Sequence, residues 1–186
     1  NALGRMRSSI VGAHTRHLVS RLAHDHVVQA TTSSGGVTYD PSAPTLSSVA
    51  AEVQTATLKV DDAETRRRFG LEGQPSAGDV AEIERTMKAE GQLGVARFPT
   101  ITFTSTTITP EAPGRYRVAG QLAIRGITRA VEFPANVAMD GNVFRATATL
   151  TFMQSAFGYK PYSALLGAIK NKDEVRLHMD LVAVPE

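Results

Sequence analysis

Apolar and polar residues alternate with a period of two through the second half of the chain, which predicts β-strands there. Tyr116, Val118, Gly120, Leu122 and Ile124 fall on one face of a strand, with Arg115, Arg117, Gln121 and Arg125 on the other. Val131, Phe133, Ala135, Val137 and Met139 repeat the pattern, and Pro134 marks their strand as an edge, an end or a bulge. Phe144, Ala146, Ala148, Leu150 and Phe152 alternate with Arg145, Thr147, Thr149 and Thr151, and Asp140-Gly141-Asn142 before them is a hairpin signal. Val175, Leu177, Met179 and Leu181 line one face of a last strand, opposite Glu174, Arg176, His178 and Asp180. Ile101 and Phe103 lie in a β-branched stretch over 99–105 that reads as a further strand.

The first half is less regular. Residues 24–39 and 47–60 read as two strands separated by Asp40-Pro41-Ser42-Ala43-Pro44. One helix follows, with Asp79 as its cap, Glu82 three residues later, Val80, Ile83 and Met87 on one face and Gly91 at its end. The stretch 61–78 reads as loop, as does 153–173 apart from a short helical turn at 163–168. Seven or eight one-sided strands with a single helix predict one antiparallel β domain, a sandwich or an up-and-down barrel. A barrel of about eight strands can enclose one small ligand.

Composition narrows the chemistry. The 186 residues correspond to one domain and include no cysteine, which excludes disulfides, Cys-ligated metal and a Cys nucleophile but is neutral about compartment. The 20 basic and 18 acidic residues leave a net charge of +2, too small an excess for a dedicated nucleic-acid surface. No apolar run approaches a membrane span. Asn1 in place of a starting Met suggests a trimmed product and leaves a removed export signal open, with a cytoplasmic setting as the alternative.

Candidate sites are few. His14, His17, His24 and His26 cluster, and His24-Asp25-His26 on a strand would set both imidazoles on one face, a metal-ligand spacing that His14, His17 or Asp180 could complete. The bland alternative is a hydrogen-bonded pair at a polar mouth. No HExxH, Gly-x-Ser-x-Gly, Gly-x-Gly-x-x-Gly or Walker A pattern occurs, and Glu82, Glu84 and Glu90 with Arg85 and Lys88 read as a solvated helix face. Catalysis has no support. Arg66-Arg67-Arg68 beside Phe69 is either a contact for an anionic head group or ordinary solvated surface. Phe157, Tyr159, Lys160 and Tyr162, around Gly158 and Pro161, form either a lid over an apolar cavity with Lys160 at its rim, or a plug for the end of the core.

Two segments carry a resemblance. Phe98-Pro99-Thr100-Ile101-Thr102-Phe103-Thr104-Ser105 and Val118-Ala119-Gly120-Gln121-Leu122-Ala123-Ile124-Arg125-Gly126-Ile127-Thr128 resemble a strand pair of the YceI-like family. Ser155-Ala156-Phe157-Gly158 and Asp173-Glu174-Val175 are similar to its later motifs, and Ala23-His24-Asp25-His26, Asp40-Pro41 and Leu58-Lys59-Val60 match more weakly. The resemblance implies that 1–186 is one all-β domain, an extended, lipocalin-like antiparallel β-barrel of about eight strands with one helix packed by it. It further implies a non-enzymatic carrier, periplasmic or secreted, holding a long polyisoprenoid such as a quinone or prenyl amphiphile in an apolar tunnel. No cofactor is expected beyond that lipid, the expected partner is the lipid itself, and a homodimer stays open. The expected liners are Phe98, Ile101, Phe103, Val118, Leu122, Ile124, Phe133, Phe152, Phe157 and Leu177, with Tyr159, Lys160 and Tyr162 at the loop. Two other readings stand beside it: a metal-dependent protein or enzyme using His24 and His26, and a stress or interaction protein whose barrel is filled by its own side chains. The chain departs from the family pattern at Ala156, where an acidic residue is usual, at Arg66-Arg67-Arg68-Phe69, and in the extension Lys160-Pro161-Tyr162-Ser163.

Overall fold

The computed structural model describes residues 2–9, 13–15, 26–30, 33–40, 42–164, 169–170 and 172–184. The first-half strands are β1 (Ala2–Ser9), β2 (Ala13–Thr15), β3 (His26–Ala30), β4 (Ser33–Tyr39), β5 (Ser48–Gln54) and β6 (Leu58–Val60). Helices α1 (Ala63–Arg68) and α2 (Ala77–Lys88) follow. Then come β7 (Thr100–Ala112), β8 (Arg115–Ile124), β9 (Ile127–Asp140) and β10 (Val143–Met153). A two-stranded ribbon, β11 (Ser163–Ala164) with β12 (Ile169–Lys170), precedes β13 (Glu174–Ala183).

Eleven of these strands form one curled sheet, ordered β1-β4-β5-β7-β8-β9-β10-β13-β2-β3-β6, and β13 also pairs with β1. Every pairing is antiparallel. β1 meets β4, and β2 meets β3, in a single register, with Ala2 opposite Tyr39 and Ala13 opposite Val28. A 3₁₀ turn, Thr55–Thr57, stands between β5 and β6. Counting β1/β2, β3/β4 and β5/β6 as one arm each leaves eight arms, the expected number. Near the ends marked by Tyr39 and Tyr116 the ring is closed, because β1 joins β4 to β13. Toward the other end it is a half-barrel. There α2, not a strand, lies against β6, and β9 stays with β10 only as far as Ala135 opposite Ala148. Pro134, the next residue of β9, stands just beyond that ladder, where no amide is needed on this side. A 3₁₀ turn, Gln154–Phe157, packs at the split, and Arg129 Nε donates to the Ala156 carbonyl at 2.9 Å.

The alternation read from the sequence is realised in β8, where Tyr116, Val118, Gly120, Leu122 and Ile124 are all buried. Gly120 is required rather than tolerated: a Cβ there would lie 2.5 Å from both the Phe103 ring and the Thr104 carbonyl oxygen. β7 carries two register shifts, between Ser105 and Thr107 and between Pro110 and Ala112. The first reverses the odd–even parity of the strand, so Ile101 and Phe103 before it and Ile108 after it all face inward.

Several expectations need correction. Met139, read as an inner residue, is exposed. The stretch 61–78 is not all loop: Asp62 caps α1 by accepting from Thr65 N at 3.0 Å. There are therefore two helices, not one. α2 starts earlier than expected, capped by Ser76, whose Oγ accepts from Asp79 N at 3.2 Å and donates to the Asp79 carboxylate at 2.7 Å. Asp79 is thus the third helical residue, not the cap, and α2 ends at Lys88, before Gly91. Of the predicted helical turn at 163–168, Ser163–Ala164 is strand and 165–168 lies outside the described residues.

Candidate ligand cavity

The curled sheet encloses a cavity of about 680 Å³, within the ~300–1,000 Å³ usual for small-molecule sites. Its wall is built from the inner faces of the long strands, with Val118, Leu122 and Ile124 of β8, Phe133 of β9, Phe152 of β10 and Leu177 of β13 among the lining residues. Tyr39, Tyr116 and Phe144 border it at one end, and His26, Val60 and Gln154 toward the other. Along β8 the lining runs from Tyr116 to Ile124, roughly 27 Å of strand, or ~20 Å of barrel axis at the usual tilt. The remaining wall is α2, which contributes Asp79, Glu82, Ile83, Thr86 and Met87. No residue of α2 is fully buried, and the helix covers the opening with Met87 packed against the main core.

Ten of the thirteen expected ligand residues border this cavity: Ile101, Phe103, Val118, Leu122, Ile124, Phe133, Phe152, Tyr159, Tyr162 and Leu177. Phe98, Phe157 and Lys160 do not. Phe98 packs outside the lumen, with its ring under the guanidinium groups of Arg97 at 5.2 Å and Arg125 at 5.5 Å. Phe157 is 1% exposed and locked edge-on to Phe152, with ring centroids 5.4 Å apart, which makes it solid core. Lys160 is exposed, and its carbonyl accepts from Gln92 Nε2 at 3.0 Å. The aromatic loop is therefore half plug and half wall.

The Arg66-Arg67-Arg68 run is not a uniform solvated surface. Asp61, buried and with φ of 53°, accepts from His26 Nδ1 at 2.6 Å, Val27 N at 3.1 Å and Arg66 Nη1 at 2.7 Å. Arg66 also donates to the carbonyls of Gly73 and Glu72, which ties the loop after α1 to β3. Burial pushes the Asp61 pKa up, but the His26 hydrogen bond, the Val27 amide and the neighbouring positive charges outweigh it, and the carboxyl is held below its ordinary value. Arg68 points the other way, to Asp180 at 2.9 Å. Both partners expected for a head group or a metal, Arg66 and Asp180, are engaged by the protein itself. Among the described residues no three His, Asp or Glu come together as a metal site, and His17 and His24 lie outside them.

A family profile described as "YceI-like domain" matches residues 6–183, nearly the whole chain. The chain belongs to the YceI-like family. It is 29% identical over 158 residues to a UPF0312 protein of Shewanella baltica, covering 80% of this chain and 73% of that one. Its fold is similar to that of BcnA from Burkholderia cenocepacia, with a TM-score of 0.73, 21% identity and coverage of 95% and 96% of the two chains. It is also similar to a YCEI protein of Campylobacter jejuni, with a TM-score of 0.65, 13% identity and coverage of 92% and 90%. Family and fold are consistent with a binding-protein barrel.

Several of the YceI-like motif residues serve the scaffold instead of the cavity. Arg125 and Gly126 form the β8–β9 turn with φ of 53° and 72°, both left-handed as a two-residue hairpin of type I′ requires. Arg125 holds that conformation without glycine's freedom, and its guanidinium donates to the carbonyls of Gly158 at 2.9 Å and Glu90 at 3.0 Å. One side chain thus joins the hairpin to the Phe157-Gly158 loop and to the segment after α2. Ser155 N donates to the Asp173 carboxylate at 2.8 Å, which fastens the Phe-Gly motif to the start of the last strand. Tyr39, Val53, Ile83 and Met87 line the cavity without having been expected there. Only the helix periodicity of Ile83 and Met87 carried a signal for any of them.

Proposed function

We propose that this chain is a carrier for a long apolar lipid of the polyisoprenoid class with an uncharged head group, and that it catalyses no reaction on it. The observation that carries this reading is the cavity lining: aliphatic and aromatic side chains along its whole length, and neither lysine nor arginine among the described residues that line it. Its acidic side chains, Asp79 and Glu82, are on α2 and of the wrong sign for a phosphate or pyrophosphate head group, and the His26 imidazole is engaged by Asp61 at 2.6 Å. Gln92, Gln154, Tyr159 and Tyr162 supply neutral hydrogen-bonding groups suited to a quinone carbonyl or a hydroxyl. Each methylene buried is worth about 0.8 kcal/mol, so chain burial alone supports tight binding. A periplasmic or secreted setting belongs to this proposal, and cell fractionation tests it.

The deciding experiment is organic extraction and mass spectrometry of the purified protein, followed by thermal unfolding with added prenyl quinone, prenol and prenyl phosphate. A bound lipid at a hundred times its Kd adds about 2.7 kcal/mol of stability. The quinone and prenol are expected to raise Tm, and the phosphate to raise it less. Absence of a copurifying lipid together with no shift from any of the three would overturn the proposal.

A further inference from the structure

The closed end of the cavity is crossed by three aromatic rings. Tyr39 is the last residue of β4, Tyr116 the second of β8 and Phe144 the second of β10, and all three line the cavity. In the sheet order β4 stands three strands from β8 by way of β5 and β7, and three from β10 by way of β1 and β13. Neighbouring strands are ~4.8 Å apart, so either path is ~14 Å around the wall. Yet the Tyr39 ring lies 6.2 Å from that of Tyr116, edge-on, and 5.2 Å from that of Phe144. The two tyrosine hydroxyls are 3.0 Å apart. Contacts this short between strands this distant run across the lumen, not along its wall.

The bar is also well held. Tyr39 and Phe144 pack on a small second core made by Val37 and Ala183, separate from the main one. Tyr116 is buried. The hydroxyl–hydroxyl bond gives each phenol oxygen a polar partner in the apolar lumen, one as donor and the other as acceptor. Burial, and then the Tyr116 bond, push the Tyr39 phenol up to about 12.

We infer that the Tyr39–Tyr116–Phe144 bar is a chain-length stop: it blocks the lumen at one end and sets how many prenyl units of a bound lipid are sheltered. This rests on the carrier reading above, and it makes the bar the specificity-determining element of that site. Each sheltered methylene tightens binding about fourfold. A chain that has reached the bar gains nothing from further units, which must stay outside or buckle.

The test is a series of all-trans prenols of increasing length, each measured by native mass spectrometry and by displacement of an apolar fluorescent probe. Wild-type affinity is expected to rise by at least tenfold per prenyl unit and then reach a plateau. Tyr116→Ala and Phe144→Ala open the lumen and move the plateau to longer prenols by one unit or more. Tyr39→Phe keeps the ring and leaves the plateau in place. Ala146→Leu thickens the lumen wall one inward position before Phe144 and moves the plateau to shorter prenols, so the idea stays testable if either ring truncation fails to fold. A plateau at the same length in every folded variant, or wild-type affinity that climbs through the whole series, overturns the stop while leaving the carrier intact. Failure of the wild type to bind any prenol would instead count against the carrier reading itself.

Discussion

The two ends of the barrel are built on opposite principles. At the Tyr39 end the strands close the ring themselves, and buried apolar side chains fill what remains. At the His26 end the ring is a half-barrel completed by parts that are not strands: α2 beside β6, and the 3₁₀ turn Gln154–Phe157 at the split between β9 and β10. The polar hub Asp61–His26–Arg66 and the clamp of Arg125 hold that end by hydrogen bonds, and α2 buries none of its residues. One end is closed by strand pairing over a small second core. The other is completed by α2 and the 3₁₀ turn, which pack on the main core through Met87 and Phe157 and are tied by these directed contacts. On the carrier reading proposed above, a long ligand would enter on this side.

The contrast predicts that losses at the half-barrel end depend on which part is struck. The largest effect is expected at the hub. Asp61→Asn tolerates the left-handed backbone but removes the charged partner that stands 2.7 Å from the buried Arg66 guanidinium, at a cost of about 3–5 kcal/mol in urea unfolding. Leu122→Ala in the β8 wall removes a buried side chain beside the cavity and costs about 3 kcal/mol. Met87→Ala on α2 is expected to cost less than about 1 kcal/mol while speeding release of a bound apolar probe several-fold. Equal destabilisation by Leu122→Ala and Met87→Ala would remove the distinction between wall and lid.

Acid sharpens the same comparison. The Asp61 carboxyl is held below its ordinary value of 3.8, so the stability it contributes is fully present above that value and is lost as pH falls through the lower folded one. Stability measured against pH should therefore fall below about pH 4, and Asp61→Asn should flatten this limb. The smallest effect belongs to His178, on β13 beside Phe69, whose rings are 5.0 Å apart. Burial, with Arg176 and Arg68 nearby, holds its pKa below 6.5, so protonation disfavours the fold. A slight loss is expected as pH drops below 6.5, absent in His178→Gln.

What could be read in advance follows from the range of the interactions involved. The inward face of β8 was legible because its alternation runs unbroken from Tyr116 to Ile124. β7 was legible only to Ser105, where the register shift reverses the parity and hides Ile108. The stretches 24–39 and 47–60 were recognised as extended, but the second contains the turn Thr55–Thr57, which splits β5 from β6 without any glycine or proline to announce it. β1 and β2 were not recognised at all, since Ala2–Ser9 shows no alternation. Ser76 and Asp79 are both good caps three residues apart, and only the backbone decides between them. The burial of Arg66 could not have been foreseen, because its neighbours Arg67 and Arg68 are exposed and its partner is fixed by β3 pairing with β6. Of the cavity, the apolar strand faces were visible and the tyrosine bar was not, because it joins residues 77 positions apart.

The pairing of β1 with β13 carries a last consequence, for the order of assembly. β1 can bind β4 as soon as both have been made, but its other edge waits for β13. Until β13 has been made, the ring stays an open ribbon with an unpaired edge on β1. Sealing the circle is then a single late event between the two extremities of the domain, and a truncation of even a few residues from β13 should strike there first.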